Sequence, residues 1–305
     1  MSSQKALNSN FNNGTNWLFG VPAAKNVIYL NEILKQRTLK SISQPGIAQY
    51  SPWVCSPRIS ALNTPLPQTP DLLVTQQQQL KTISNLYSKN SDGDDLSWFG
   101  LAKSGFYIDV DIENRPNDIE IFNRSINLVR RNPDLQLLFD GLVSNVVPIK
   151  SKSLQRRKKG VGFSAPRARN AIFLSVPDIT EFTELELAIN IFHEVAHQAI
   201  FIYQSADKII VSDLKAPVYS GIRRCHRPAI MAFHGAVALA AMIHAFQLSK
   251  SWPEYSSTDA IDYINARIKE LQLDLAQTLL DLSKCKFTAL GSRIYKELIY
   301  FLQVK

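Results

Sequence analysis

No histidine precedes His193 in this 305-residue chain, and none follows His244. Any imidazole chemistry is therefore confined to that stretch. Cysteine is almost as scarce. Cys55, Cys225 and Cys285 form an odd, unpatterned set. That excludes a disulfide framework or a zinc knuckle and makes a reducing cytoplasm the expected compartment. Met1 to Thr15 is polar, rich in Ser and Asn, and lacks the apolar core of a signal peptide. The longest apolar run, Ala229 to Phe246, is interrupted by His234 and His244. It reads as a buried helix rather than a membrane span, so no membrane partner is expected. Glutamate is absent between Glu194 and Glu254. No internal repeat is present.

What remains is ordinary for a globular protein: 45% hydrophobic residues, 20% charged, net charge +8 and an isoelectric point near 9.3. Much of the positive excess is local, in Arg156, Arg157, Lys158 and Lys159, followed by Arg167 and Arg169. This run is short and lacks interleaved stacking aromatics, so nucleic acid is not an expected partner. A charged loop at 156–169 could hold an acidic peptide; a solvated surface loop is the simpler reading.

Periodicity gives a mixed first half and a mostly helical second half. Residues 1–20 read as disordered or loosely attached, and 21–305 as a single metalloenzyme domain, with room for an N-terminal subdomain to about residue 150. Helices are expected over Val27–Leu39, Leu72–Leu86, Asp118–Arg130 and Pro133–Leu142. The prolines between Pro45 and Pro70 mark an extended connector. Strands are expected over Phe106–Ile112, Val146–Ile149, Ala171–Val176 and, briefly, Lys208–Ser212. Thr183-x-x-Glu186 has capping-box spacing for a helix reaching about Tyr203. Pro228 suits the first residue of a helix to about Leu248. Thr258–Leu282 is amphipathic, with Ile261, Ile264, Ile268, Leu271, Leu275 and Leu279 on its apolar side, and Phe287–Leu302 closes the chain. The expected class is α+β, predominantly helical, with a metal helix and a following helix packed with a small sheet.

The metal helix takes its name from His193-Glu194-Val195-Ala196-His197, an H-E-x-x-H pentapeptide flanked by Ile191, Phe192, Ile200 and Phe201. Four residues are about one helical turn, so both imidazoles lie on one face and can grip one ion. The bland alternative is two buried histidines hydrogen-bonded to neighbours. A mononuclear site needs a third protein ligand. The glutamate gap removes the thermolysin-type ligand, and Ile200 and Tyr203 stand where the longer H-x-x-G-x-x-H pattern needs Gly and His. Asp207, Asp213, His226, His234 and His244 remain. His234 and His244 are separated by about 15 Å of rise and about 80° of rotation, so only one can reach the ion. His234 lies on the second long helix after the motif and precedes Gly235, which permits close packing. His244 reads as a core or helix-end histidine and His226 as a cap or outer-shell group. Such a ligand set suits zinc, with Glu194 as the base of a hydrolase, or iron(II), with Glu194 as a hydrogen-bond partner.

The segment Ser220-Gly221-Ile222-Arg223-Arg224-Cys225-His226-Arg227-Pro228 stands before His234. An arginine at a helix start suits a carboxylate; an exposed basic turn is the alternative. The combined pattern His193-Glu194-x-x-His197, Ser220-x-x-Arg223-x-x-x-Arg227-Pro228 and His234-Gly235 resembles the 2-oxoglutarate-dependent H-E-x-x-H-type peptide β-hydroxylases, the H-E-x-x-H-containing peptide-modification proteins. The likeness covers about residues 183–246. The family's Pro-Trp before the first arginine is Gly221-Ile222 here. The resemblance implies iron(II) held by His193, His197 and His234, and 2-oxoglutarate received by Arg223, Arg227 or both. It further implies a cytoplasmic dioxygenase that hydroxylates Cβ of a residue in a ribosomally synthesised precursor peptide. A zinc metallopeptidase with an atypical third ligand, and a non-catalytic peptide-binding protein with a vestigial site, are the other readings.

Overall fold

A computed structural model describes residues 19–41, 50–55, 69, 71–87, 105–151, 160–178 and 181–303. The N-terminal 18 residues, most of the proline-rich connector and the basic run Arg156–Lys159 lie outside the described residues. The fold is mostly helical with a small sheet, in agreement with the α+β expectation. The helices are α1 (Val21–Ser41), α2 (Gln77–Tyr87), α3 (Pro116–Arg131), α4 (Pro133–Leu142), α5 (Thr183–Ala206), α6 (Ala229–Ser249), α7 (Thr258–Leu282) and α8 (Ala289–Gln303). The strands are β1 (Phe106–Ile108), β2 (Asn145–Ser151), β3 (Gly162–Phe163), β4 (Ala171–Leu174), β5 (Pro217–Ser220) and β6 (Cys225–Pro228).

The chain forms two compact units, each assembled from separate segments. The first comprises residues 31–131 and 139–198 and is built on a four-stranded sheet in the order β1-β2-β4-β3. β2 runs parallel to β4, pairing Val146 with Ile172, while β1 and β3 are antiparallel to their neighbours. β4 is buried at every position and β2 at all but one. The apolar runs Val146–Ile149 and Ala171–Leu174 suit strands covered on both faces. Phe163 of β3 stacks on Phe173 of β4 at 4.4 Å between ring centroids, which ties the short edge strand to the core. The expected helix at Leu72 begins only at Gln77. Leu72 and Val74 instead exchange backbone hydrogen bonds with Val146, so the sheet claims them first. The strand expected to reach Ile112 stops at Ile108, and a 3-10 turn, Ile112–Asn114, follows. There Asp109 is buried and ion-paired to Arg115 and to Lys150.

The second unit comprises residues 1–30, 132–138 and 199–305. Its centre is α6, whose alanine-rich sequence is almost wholly buried. By length and composition α6 could cross a membrane, but it is a core helix packed on α7 and α8. α7 spans Thr258–Leu282 as its periodicity predicts, with Ser257 capping it by accepting from the Ala260 N–H at 3.2 Å. The hairpin β5–β6 lies against α6 and α7. Pro228 ends β6, and α6 starts one residue later, at Ala229. Lys208–Ser212 forms no strand beyond one bridge, Ile210 to Phe287.

Candidate metal centre

Long apolar side chains bury most of the middle of α5. From Ile191 to Ile200 only His193 and His197 keep partial access to solvent. The residues that follow each of them, Glu194 and Gln198, face the sheet. Ser164 Oγ donates to the Glu194 carbonyl at 3.3 Å. Gln198 Nε2 donates to the Ala171 carbonyl at 2.8 Å, and its Oε1 accepts from the Asn170 N–H at 3.0 Å. Asn170 adopts φ +71°, a left-handed conformation that asparagine tolerates. Together these bonds fix the rotation of the helix about its axis. The imidazoles, about 100° further round, are thereby kept off the sheet.

The two rings meet edge to face, with Nε2 atoms 3.2 Å apart. Two nitrogens each about 2.1 Å from one cation and this far apart subtend about 100° at it, between the octahedral and tetrahedral angles. The pair therefore fits two adjacent coordination positions of iron(II) or zinc. Glu194 is buried, and its Oε1 lies 3.6 Å from His193 Nε2. Gly162 on β3 packs directly over this carboxylate: a Cβ added there would stand 2.6 Å from Glu194 Oε1 and 2.9 Å from Leu174 Cδ2. The glycine thus permits an approach that a side chain would block.

Compared with protein-family models and with curated proteins, the chain has no match.

The other expected site residues belong to the second unit. His234 is buried on α6, where its Nε2 is 2.8 Å from Gln204 Oε1 and its ring lies 5.0 Å from that of Phe201. Among the described residues, no group of three or more His, Cys, Asp and Glu side chains is arranged to hold a metal ion. Arg223 is exposed on a 3-10 turn, Gly221–Arg223, and Arg227 is half-buried on β6 opposite Val218. Arg224, at the left-handed corner between them, pairs with Glu270 at 2.9 Å and Asp274 at 3.4 Å. Ser220 is fully buried, and a Cβ at Gly235 would meet its Oγ at 3.2 Å and Ile222 at 3.0 Å. Within this unit the serine and glycine of the motif thus serve close packing of the hairpin on α6. His226 is exposed near Asp281, at 3.9 Å. His244 packs between Phe19 and Phe301. Asp207 and Asp213 accept from the backbone N–H groups of Ile209 and Lys215, as turn residues do.

Sequence reasoning passed over Gln198 and Gly162. Gln198 had a visible signal: a polar residue four places after Glu194 inside an apolar flank. Gly162 had none, because the sequence does not show which side chain it meets.

Proposed function

We propose that the protein is an iron(II)- and 2-oxoglutarate-dependent dioxygenase that hydroxylates Cβ of a residue in a ribosomally synthesised peptide, working in the cytoplasm. The observation that carries this reading is the convergence of His193 and His197 Nε2 at 3.2 Å on the one accessible strip of a buried helix. The motif resemblance adds the choice of chemistry and names His234 as third ligand. When bound, iron(II) supplies dioxygen activation coupled to oxidative decarboxylation of 2-oxoglutarate. The chain's own residues bind and orient. His193 and His197 would give imidazole donors through Nε2, and the buried Glu194 carboxylate stands beside the pair. Arg223 and Arg227 are the sequence's candidates for the co-substrate carboxylate. The test is oxygen-dependent succinate formation with iron(II), 2-oxoglutarate and a peptide. We expect His193→Ala to weaken iron binding by more than about a hundredfold, read by anaerobic metal titration, and to abolish succinate formation. Iron-loaded protein that neither binds nor consumes 2-oxoglutarate overturns the reading.

One observation favours a second reading, a zinc metallopeptidase. The buried Glu194 carboxylate stands beside the histidine pair, where a general base for a metal-bound nucleophile belongs. That reading predicts stoichiometric zinc after purification and peptide cleavage lost in Glu194→Gln.

A further inference from the structure

Arg169 is a residue of the sheet-bearing unit whose guanidinium has buried donors without a hydrogen-bond partner. It follows the 3-10 turn Pro166–Ala168 and precedes β4. Its backbone is pinned on both sides. The carbonyl of Arg169 accepts from Tyr50 Oη at 3.2 Å. The next residue, Asn170, donates from its N–H to Gln198 Oε1 at 3.0 Å and from Nδ2 to the Leu142 carbonyl at 2.8 Å. Gln198 directly follows His197. Arg169 is thus one residue along the chain from the clamp that orients the metal helix.

The guanidinium is half-buried, and its Nε and Nη1 are fully buried without a hydrogen-bond partner. Neighbouring arginines of the same unit are treated differently. Arg115 also has a buried Nε without a hydrogen-bond partner, but its guanidinium is neutralised by Asp109 and Asp118, and Arg130 pairs with Asp140 at 2.7 Å. Among the described residues no carboxylate pairs with Arg169. A permanently charged guanidinium whose buried donors face no acceptor is costly to a fold. Such donors suit planar carboxylates. We propose that Arg169 is the receptor for a ligand carboxylate on the unit that carries His193 and His197. Assigning that carboxylate to 2-oxoglutarate rests on the oxygenase reading; the receptor itself does not. An acidic peptide side chain offers the same chemistry.

The test is thermal unfolding of the metal-free full-length chain, with 2-oxoglutarate in one arm and a capped tripeptide bearing a single glutamate in the other. Wild-type protein is expected to melt higher with at least one of the two, and Arg169→Met to lose that shift. By calorimetry the affinity for the same ligand is expected to fall roughly ten- to hundredfold, the worth of charged hydrogen bonds. Arg169→Lys, which keeps the charge without the planar donors, checks the result should the methionine variant fail to fold; its expected loss is roughly tenfold. A shift in the 2-oxoglutarate arm makes the co-substrate the source, and a shift in the peptide arm alone makes it the substrate. Ligand shifts of equal size in wild type and variants, or no shift in wild type with either probe, overturn the proposal. Because no metal is present, loss of iron-dependent turnover leaves this outcome untouched, so the two readings fail separately.

Discussion

Gly162 shows how one residue can control the site without touching a ligand. Its missing Cβ is the space that Glu194 Oε1 fills. In Gly162→Ala the added methyl displaces the end of a flexible side chain, and the backbone keeps its place. We expect a stability loss of about 1 kcal/mol, in the range of mild overpacking. Turnover should fall far more, by roughly a hundredfold, since misplacing a positioned group by about an ångström has that effect. Melting temperature and kcat measured on the same preparation check the split; a loss in melting with unchanged kcat sinks it.

At the scale of the element, α5 serves as both core and site. Its apolar residues bury it, and Glu194 and Gln198 set its rotation from the sheet side. Gln198 makes two hydrogen bonds to the segment leading into β4, both buried. Gln198→Leu keeps the volume and leaves the Asn170 N–H and Ala171 carbonyl without partners. The expected cost is about 2–4 kcal/mol, from two buried groups left unsatisfied, visible as a lower urea midpoint with an unchanged slope. Because the clamp fixes the imidazole face, metal affinity should fall in the folded variant as well. An unaltered metal titration would separate the clamp from the site. The β5–β6 hairpin is held in the same manner: the Gly221 N–H donates to Thr278 Oγ1 at 2.7 Å, and the Tyr219 N–H to Asp281 at 2.9 Å.

For the whole molecule, His244 is the histidine with a defined bearing on pH. Burial holds its imidazole below the ordinary histidine value, and Asp134 pulls partly the other way. Phe19 and Phe301 enclose the ring. The unfolded chain therefore takes up the proton first. The stability of the neutral ring is fully present above the unfolded value of about 6.5. It is lost as pH falls from there through the depressed folded value. His244→Phe should flatten the decline in melting temperature between about pH 7.5 and about pH 5. A wild-type decline that the variant reproduces would assign it to other groups.

The sequence by itself determined the elements with long, clean periods. Pro133–Leu142 and Thr258–Leu282 have the bounds their patterns predict, and α5 starts at Thr183 as its cap spacing implies. It also determined that His193 and His197 converge, because four residues on a helix leave little choice. Short elements were less legible. β3 is two residues long, and β5 and β6 are four each, too brief for alternation to show. Leu72–Val74 reads as helix locally and is drawn into the sheet by Val146. Only the tertiary structure decided that Glu194 fits under Gly162, that Gln204 engages His234, and that Arg169 keeps buried donors without an acceptor. The physical reason is range: a helical turn is set by residues four apart, whereas the neighbour across a packed interface is set by the whole chain's closure.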